Sequence, residues 1–504
     1  MPESSENRLP TVGHWIDGSV LEGVSTRTSL VFDPALGVPT KNVAIADEND
    51  VVRAVDAAKR AFPAWRDTSL ARRQRIIFAF RELLNARKHE LAEIVTSEHG
   101  KVVTDALGEI SRGLEVVEFA TAFPHFLKGE HSENASTNLD VYSLRQPVGI
   151  AAIISPFNFP AMVPLWFFPI AIAAGNSVIL KPSEKDPSAA NWLASLFSEA
   201  GLPDGVFNVL HGDKFAVDGL ITHEDVRAVS FVGSTPIARY VYETAARAGK
   251  RVQAFGGANN HMLVLPDADL DLAADAAVNA GFGSAGERCM AQSVVVAVES
   301  IADELVSKIS ERMRAIRVGD GRRSCDMGPL VTQAHKDRVV SYIESAQQDG
   351  ADIVVDGRVV DVDGEPNGFW LGPTLVDRVS TDSRVYTDEI FGPVLSVVRV
   401  ASYRDGVTLI NASPYGNGTA VFTNDGRAAR RFQNEVQVGM VGINVPIPVP
   451  VSYYTFGGWK DSLFGDLGAY GPRAFDFFTR QKTVTSRWLD PSRGGMNLGF
   501  PQTI

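Results

Sequence analysis

The stretch Val148-Gly-Ile-Ala-Ala-Ile-Ile-Ser-Pro-Phe-Asn-Phe-Pro160 opens a long apolar run that ends in Ser177-Val-Ile-Leu-Lys-Pro-Ser-Glu-Lys185. No residue between Gln146 and Leu180 carries a charge. A spanning helix needs about 20 consecutive apolar residues, and this run has that length. Pro156, Pro160, Pro164 and Pro169 interrupt it, with Ser155, Asn158 and Asn176 among them. Each proline removes a helix donor and clashes with the preceding turn. The run is therefore predicted to be strand, loop, short helix and strand, all buried, in a soluble protein with no membrane partner. Strands that lack polar alternation, each followed by a helix, build a parallel sheet covered on both faces.

The same rhythm extends outward. Further strands are predicted at Val206–Leu210, Ala228–Val232 and Arg251–Phe255, with helices at Pro187–Ala200, closed by Gly201, and Thr235–Ala248, closed by Gly249. Proline at the start and glycine past the end is the expected helix asymmetry. A second α/β series begins near His261, with strands at Met262–Leu265, Ser293–Val298, Val394–Val400 and Gly439–Val445. Its helices are predicted at Leu270–Ala280, Ala302–Ile316 and Thr332–Gln348. Upstream, Ser69–His99 reads as a long amphipathic helix with Leu70, Ile77, Phe80 and Leu84 on one side. Thr137–Arg145 and Thr479–Trp488 alternate in polarity and fit neither series. They are predicted to form an outlying antiparallel pair whose edge invites another subunit.

Composition sets outer bounds. The 504 residues hold 48 Lys+Arg against 60 Asp+Glu, a net charge of −12, which argues against a nucleic-acid partner because phosphate contacts need clustered cations. Two cysteines, Cys289 and Cys325, cannot build a disulfide framework and point to a reducing, cytoplasmic compartment. Met1–Arg8 is polar and resembles neither a signal nor a transit peptide. The histidines include no ligand spacing, so no metal site is expected.

Five short stretches could carry chemistry. Cys289 lies in Gly286-Glu-Arg-Cys-Met-Ala. A glycine-rich approach and the adjacent Arg288 favour a thiolate, whereas a structural cysteine would be buried and inert. The upstream Gly281-Phe-Gly-Ser-Ala-Gly286 matches a dinucleotide fingerprint, but a helical pattern precedes it and none follows, so the match is read as coincidence. Asn158, fixed between aromatic and proline residues at a strand end, could aim its amide at an oxyanion or cap its own loop. Lys181 and Glu184 follow a strand and could bind ribose hydroxyls or merely form a solvated turn. Phe231-Val-Gly-Ser-Thr235 and Glu389-Ile-Phe-Gly-Pro393 complete the set.

In this order and spacing, these motifs resemble the aldehyde dehydrogenase superfamily over nearly the whole chain. The resemblance implies an α/β fold with a Rossmann-like NAD-binding domain (1–127 and 147–257), an α/β catalytic domain carrying Cys289 (258–445) and a small antiparallel β oligomerisation element (128–146 and 470–492). It implies Cys289 as nucleophile and Asn158 with the Cys289 amide as oxyanion hole. Ser155, Phe157, Lys181, Glu184, Lys185, Ser234, Gly256 and Glu389 would surround NAD, with Glu184 disfavouring a 2′-phosphate. A homotetramer is also implied.

One departure is informative. Hydrolytic members carry a glutamate in Glu-Leu-Gly-Gly-Lys, where this chain has Ala254-Phe-Gly-Gly-Ala258. Losing a general base costs about 10²–10⁴-fold in the step it serves, so water becomes a poor acyl acceptor. A thiol such as coenzyme A needs less help. Gly257–His261, Arg288-Cys-Met-Ala and Gly442–Pro450 resemble the CoA-acylating methylmalonate-semialdehyde branch, although Asn259 stands where that branch usually has lysine. That branch implies malonate or methylmalonate semialdehyde as substrate, with Arg112 and Arg288 binding its carboxylate, and routes such as valine, inositol or β-alanine breakdown. Read from spacing alone, Arg112 would pair with Glu109 or Glu115 instead. The alternative function is hydrolytic release of a free acid by another base.

Overall fold

The computed structural model describes residues 9–21, 26–360, 362, 364–488, 496 and 498. Met1–Arg8 and positions 489–492 of the expected oligomerisation element lie outside them. The opening stretch folds as a strand buried at every position (Ile150–Ile154), the Ser155–Ala161 loop, a helix (Met162–Ala173) and a second wholly buried strand (Ser177–Lys181). The helix contains Pro164 and Pro169 and is buried on all sides. Its Phe168 stacks on Phe207 at 4.5 Å, and nearby Phe80 stacks on Phe197 at 4.2 Å. Each such ring contributes about 1.5–3 kcal/mol by leaving water, which holds the helix together despite the donor Pro169 lacks.

The first sheet contains β1 (His14–Ile16), β2 (Ser19–Leu21), β3 (Ile150–Ile154), β4 (Ser177–Lys181), β5 (Phe207–Val209), β6 (Val226–Val232) and β7 (Arg251–Phe255). The second contains β8 (Asn260–Val264), β9 (Gln292–Val298), β10 (Asp352–Val355), β11 (Thr374–Asp377), β12 (Val394–Val400), β13 (Gly418–Phe422) and β14 (Met440–Ile443). A late strand, β15 (Leu463–Phe464), returns to the first sheet, whose order is β15-β7-β6-β3-β4-β5-β1-β2. From β7 to β5 that sheet is parallel, with antiparallel strands only towards its edges. The second sheet runs β10-β11-β12-β9-β8-β13-β14 and is parallel except at β10.

The predicted strands and helices of both series form, with no end shifted by more than three residues and with Arg251–Phe255 and Val394–Val400 as predicted. Strand β14 stops at Ile443 rather than Val445 because Asn444 adopts φ +55, outside extended geometry. Strands β11 and β13 escaped the sequence pattern because they are short and open on Thr and Gly. The long helix spans Leu70–His99, capped by Ser69 and by Gly100 at φ +92. Ile77, Phe80 and Leu84 are buried as expected, but Leu70 sits in the exposed first turn.

A separate three-stranded sheet pairs Thr479–Arg487 with Leu139–Pro147 in antiparallel register and adds a strand, His131–Ser136, that the sequence pattern did not show. Among the described residues, no helix is long and apolar enough to cross a membrane.

Candidate active site

Loops at the carboxyl ends of β3, β4, β6 and β7 meet loops at the amino ends of β8, β9 and β12, and two cavities open where they meet. Cys289, three residues before β9, lines both. The Gly281–Gly286 match belongs to the bend that delivers it. Ser284, Ala285 and Gly286 all have positive φ, and a Cβ on Gly286 would lie 2.2 Å from the Gly392 carbonyl. Only glycine allows that approach. The Cys289 carbonyl accepts hydrogen bonds from Asn260 Nδ2 (3.0 Å) and Asn417 Nδ2 (2.9 Å), which fixes the nucleophile's backbone.

The first cavity, about 480 Å³, is lined by Phe157, Asn158, Lys185, Ser234, Gly256 and Glu389 among others. It shares Pro156, Phe157, Lys185, Val232 and Gly233 with an adjoining 370 Å³ cavity that reaches Ser155, Lys181 and Glu184. Together they make one groove over the carboxyl ends of β3, β4 and β6, where open α/β sheets bind ligands. All the residues predicted to surround a dinucleotide line it.

Several groove side chains are poised rather than satisfied. Ser155 Oγ is buried without a partner among the described residues. Lys181 Nζ lies 3.4 Å from Glu184 Oε2, and the Lys185 ammonium sits 4.3 Å above the Phe157 ring. Gly257 permits a close approach to Glu389, since a Cβ there would fall 2.3 Å from its carboxylate. Glu389 Oε1 accepts the Ala258 amide at 2.8 Å, and burial pushes its pKa up to about 7. Thr235, from the Phe231–Thr235 stretch, lines the groove as well, as do His335, Arg338 and Tyr415, which no local sequence signal marked.

The second cavity, about 590 Å³, lies on the opposite side of Cys289 and contains both Arg112 and Arg288. Arg112 makes one of the ion pairs that its helical spacing allows and also reaches a cavity wall. It pairs with Glu115 at 2.7 Å and donates to the Pro450 carbonyl at 2.8 Å while lining the cavity. Glu109 is not its partner but pairs with Lys101. Arg288 pairs with Asp105 at 2.6 Å, a carboxylate the sequence did not single out.

The thiolate expectation needs correction. Burial pushes the Cys289 thiol up to about 12, the nearby Glu389 charge adds to this, and Arg288 opposes it only weakly. Its guanidinium is committed to Asp105, and desolvation outweighs a partly neutralised cation. The Asn158 carboxamide has no protein hydrogen-bond partner among the described residues, so it does not cap its own loop. Ala254 is fully buried between β7 and the helix behind it, in a cluster with Phe231 and Val241, and brings no acid to either cavity. Asn259 is buried and donates to the Tyr386 carbonyl at 2.6 Å. Cys325 is half-buried, with its thiol on the Asp320 carbonyl, away from both cavities.

Comparison with known proteins agrees with this geometry. The aldehyde dehydrogenase family profile matches residues 21–484. Malonate-semialdehyde dehydrogenase of Pseudomonas aeruginosa is 53% identical over 497 residues, covering 98% of this chain and 100% of that one. A crystal structure of methylmalonate-semialdehyde dehydrogenase from Oceanimonas doudoroffii superposes with a TM-score of 0.94 at 53% identity, covering 96% of this chain and 99% of that one. A Sinorhizobium meliloti protein, described as a candidate methylmalonate-semialdehyde dehydrogenase and crystallised with NAD, gives a TM-score of 0.95 at 52% identity, covering 97% and 100%.

Proposed function

The chain belongs to the aldehyde dehydrogenase family, and we propose that it is an NAD-dependent, CoA-acylating dehydrogenase of malonate or methylmalonate semialdehyde. The observation that carries this reading is Cys289 at the junction of two cavities, one shaped for a dinucleotide and one holding two arginines; Ala254, which the family resemblance aligns with the water-activating glutamate of hydrolytic members, supports the acylating part of it. NAD suits the first groove. Lys181 and Glu184 offer a donor and an acceptor for ribose hydroxyls at one end, Ser155 supplies an unsatisfied hydroxyl, and Glu389 stands at the other end.

The substrate enters the second cavity with its carboxylate towards Arg112 and Arg288, which places the aldehyde carbon by Cys289. The thiol gives up its proton to water in the cavity and its sulfur attacks that carbon. Asn158 and the Cys289 amide then donate to the oxygen that gains charge. NAD, when bound, supplies the hydride acceptor that takes the adduct to a thioester. Two electrostatic demands follow for the protein's own residues. Glu389 is best kept protonated while the thiol ionises, because its charge opposes the thiolate. Arg112 and Arg288 hold the carboxylate until it leaves as CO₂, the thioester carbonyl accepting the released electron pair and the resulting enolate taking a proton from water at carbon.

With no acid at position 254, acyl release falls to the thiolate of coenzyme A, giving acetyl-CoA or propionyl-CoA. The exposed edge of the Leu139–Pro147 and Thr479–Arg487 sheet supports self-association, in keeping with a homotetramer. The deciding experiment follows NADH from each semialdehyde with and without CoA and identifies the product by mass spectrometry. CoA-dependent turnover to the acyl-CoA is expected. Steady turnover to free acid without CoA would overturn the acylating assignment.

A further inference from the structure

We propose that the buried Lys101–Glu109 pair is a positioning device that orients Asn158, so that two residues outside both the nucleophile loop and the dinucleotide groove control the oxyanion step. The proposal rests on Asn158 acting as an oxyanion donor, as set out above.

Both side chains are fully excluded from solvent, with Lys101 Nζ 2.8 Å from Glu109 Oε2. Their remaining hydrogen bonds converge on one segment. Lys101 Nζ donates to the carbonyl of Asn158 itself at 2.6 Å and lies 4.3 Å from the centre of the Phe159 ring. Glu109 Oε1 accepts the Ala161 and Met162 amides at 2.8 and 3.0 Å, at the start of the Met162–Ala173 helix. A cation and an anion thus grip the backbone at and just beyond Asn158, one by its oxygen and one by its nitrogens. Among the described residues the Asn158 carboxamide has no protein partner of its own, so its direction is inherited from this backbone.

The clamp is itself anchored from the Cys289-bearing half of the chain. Val103 N–H donates to the Gly321 carbonyl at 3.1 Å. Gly328 and Gly321 press so closely that a Cβ on either would lie 2.0 Å from the Gly100 carbonyl or 2.5 Å from that of Lys101. The mechanical line therefore runs from the 319–329 loop through Lys101 to Asn158.

A pair this deeply buried is a poor source of stability, because desolvating two charges offsets most of their attraction. An apolar pair of equal volume would fill the space but could not hold a carbonyl and two amides in one geometry. A misplacement of about 1 Å at a catalytic group costs on the order of 10²-fold in rate, so that geometry is worth holding.

The test is a pair of double-mutant cycles on the holoenzyme, reading kcat, KM and NAD affinity. Asn158→Ala is expected to lower kcat by about 10²–10³-fold, the usual effect of removing an oxyanion donor. Lys101→Met should lower kcat by about 10- to 100-fold while NAD affinity stays within about twofold. The double variant should be no slower than Asn158→Ala to within about twofold, because a positioning residue has nothing left to position. Glu109→Gln keeps an acceptor for the Ala161 and Met162 amides but presents no anion to Lys101. It should show a smaller loss with the same non-additivity, and it decides the matter if Lys101→Met does not fold. Additive losses, or a kcat loss matched by lost NAD affinity, would overturn the positioning role. A slowed Asn158→Ala beside unchanged Lys101→Met and Glu109→Gln overturns this inference alone. An unaffected Asn158→Ala overturns the oxyanion assignment and the inference with it.

Discussion

Replacing Arg112 by methionine tests the proposed carboxylate recognition apart from everything else the site does. The guanidinium reaches Glu115 at 2.7 Å, the Pro450 carbonyl at 2.8 Å and the Val449 carbonyl at 3.4 Å, with the Tyr470 hydroxyl beside it. The Glu115 pair is 33% and 41% exposed, so breaking it costs at most about 1 kcal/mol and leaves a carboxylate that water can solvate. Pro450 keeps the Tyr470 hydroxyl, which donates to the same oxygen at 2.7 Å, so no buried carbonyl is orphaned. The methionine fills the space of the arginine stem. The structural cost is therefore small, and the functional loss is that of one charged hydrogen-bonded contact to substrate, about 1.5–3 kcal/mol. That corresponds to about a 10- to 150-fold fall in kcat/KM for malonate semialdehyde. Propanal, which lacks the carboxylate, should change by no more than about twofold. The assay follows NADH formation for both aldehydes at saturating NAD and CoA. Equal losses on the two aldehydes, or no loss on the acid, would refute a role for Arg112 in reading charge.

Other outcomes follow from the same geometry. Because burial and Glu389 push the Cys289 thiol up to about 12, its alkylation by iodoacetamide should accelerate with pH about tenfold per unit across the neutral range; a flat profile from intact-mass kinetics would contradict this. Glu389→Gln should speed alkylation above about pH 7, where the native carboxylate is charged, and converge with the parent below it. Arg288→Met strands Asp105, 16% exposed and with Oδ2 already unpartnered, so urea unfolding should show a loss of up to about 3 kcal/mol. Adding Asp105→Asn should recover most of it, and an unrecovered double variant would place the damage elsewhere. Glu287 is held near about 8 against its ordinary 4.5 by burial, facing His99, His335, Lys185 and Lys101. A raised folded pKa contributes stability in full below 4.5 and loses it as pH rises through about 8. Glu287→Gln should therefore raise the melting temperature more near pH 8 than near pH 5 in thermal scans, and an equal shift at both would count against it.

What could be read without coordinates was local. Apolar runs such as Ile150–Ile154 and Val178–Leu180 show a strand buried on both faces within five residues. Ile77, Phe80 and Leu84 mark the Leu70–His99 helix by a spacing of three or four residues. The alanine at 254 and the cysteine at 289 are chemical identities, and no folding step changes them. Charge states and partnerships were not legible in the same way. Glu109, at helical spacing from Arg112, pairs with Lys101 instead, and Arg288 spends its charge on Asp105 from a distant helix. The thiol that a neighbouring arginine should have ionised is held neutral by burial. Helix and strand periodicity is encoded within a few residues, so the chain itself determined the layered α/β fold and the chemistry on offer. Desolvation and Coulomb forces depend on whatever packs nearby, so only the tertiary structure decided which groups are paired, which are charged and which are free to meet substrate.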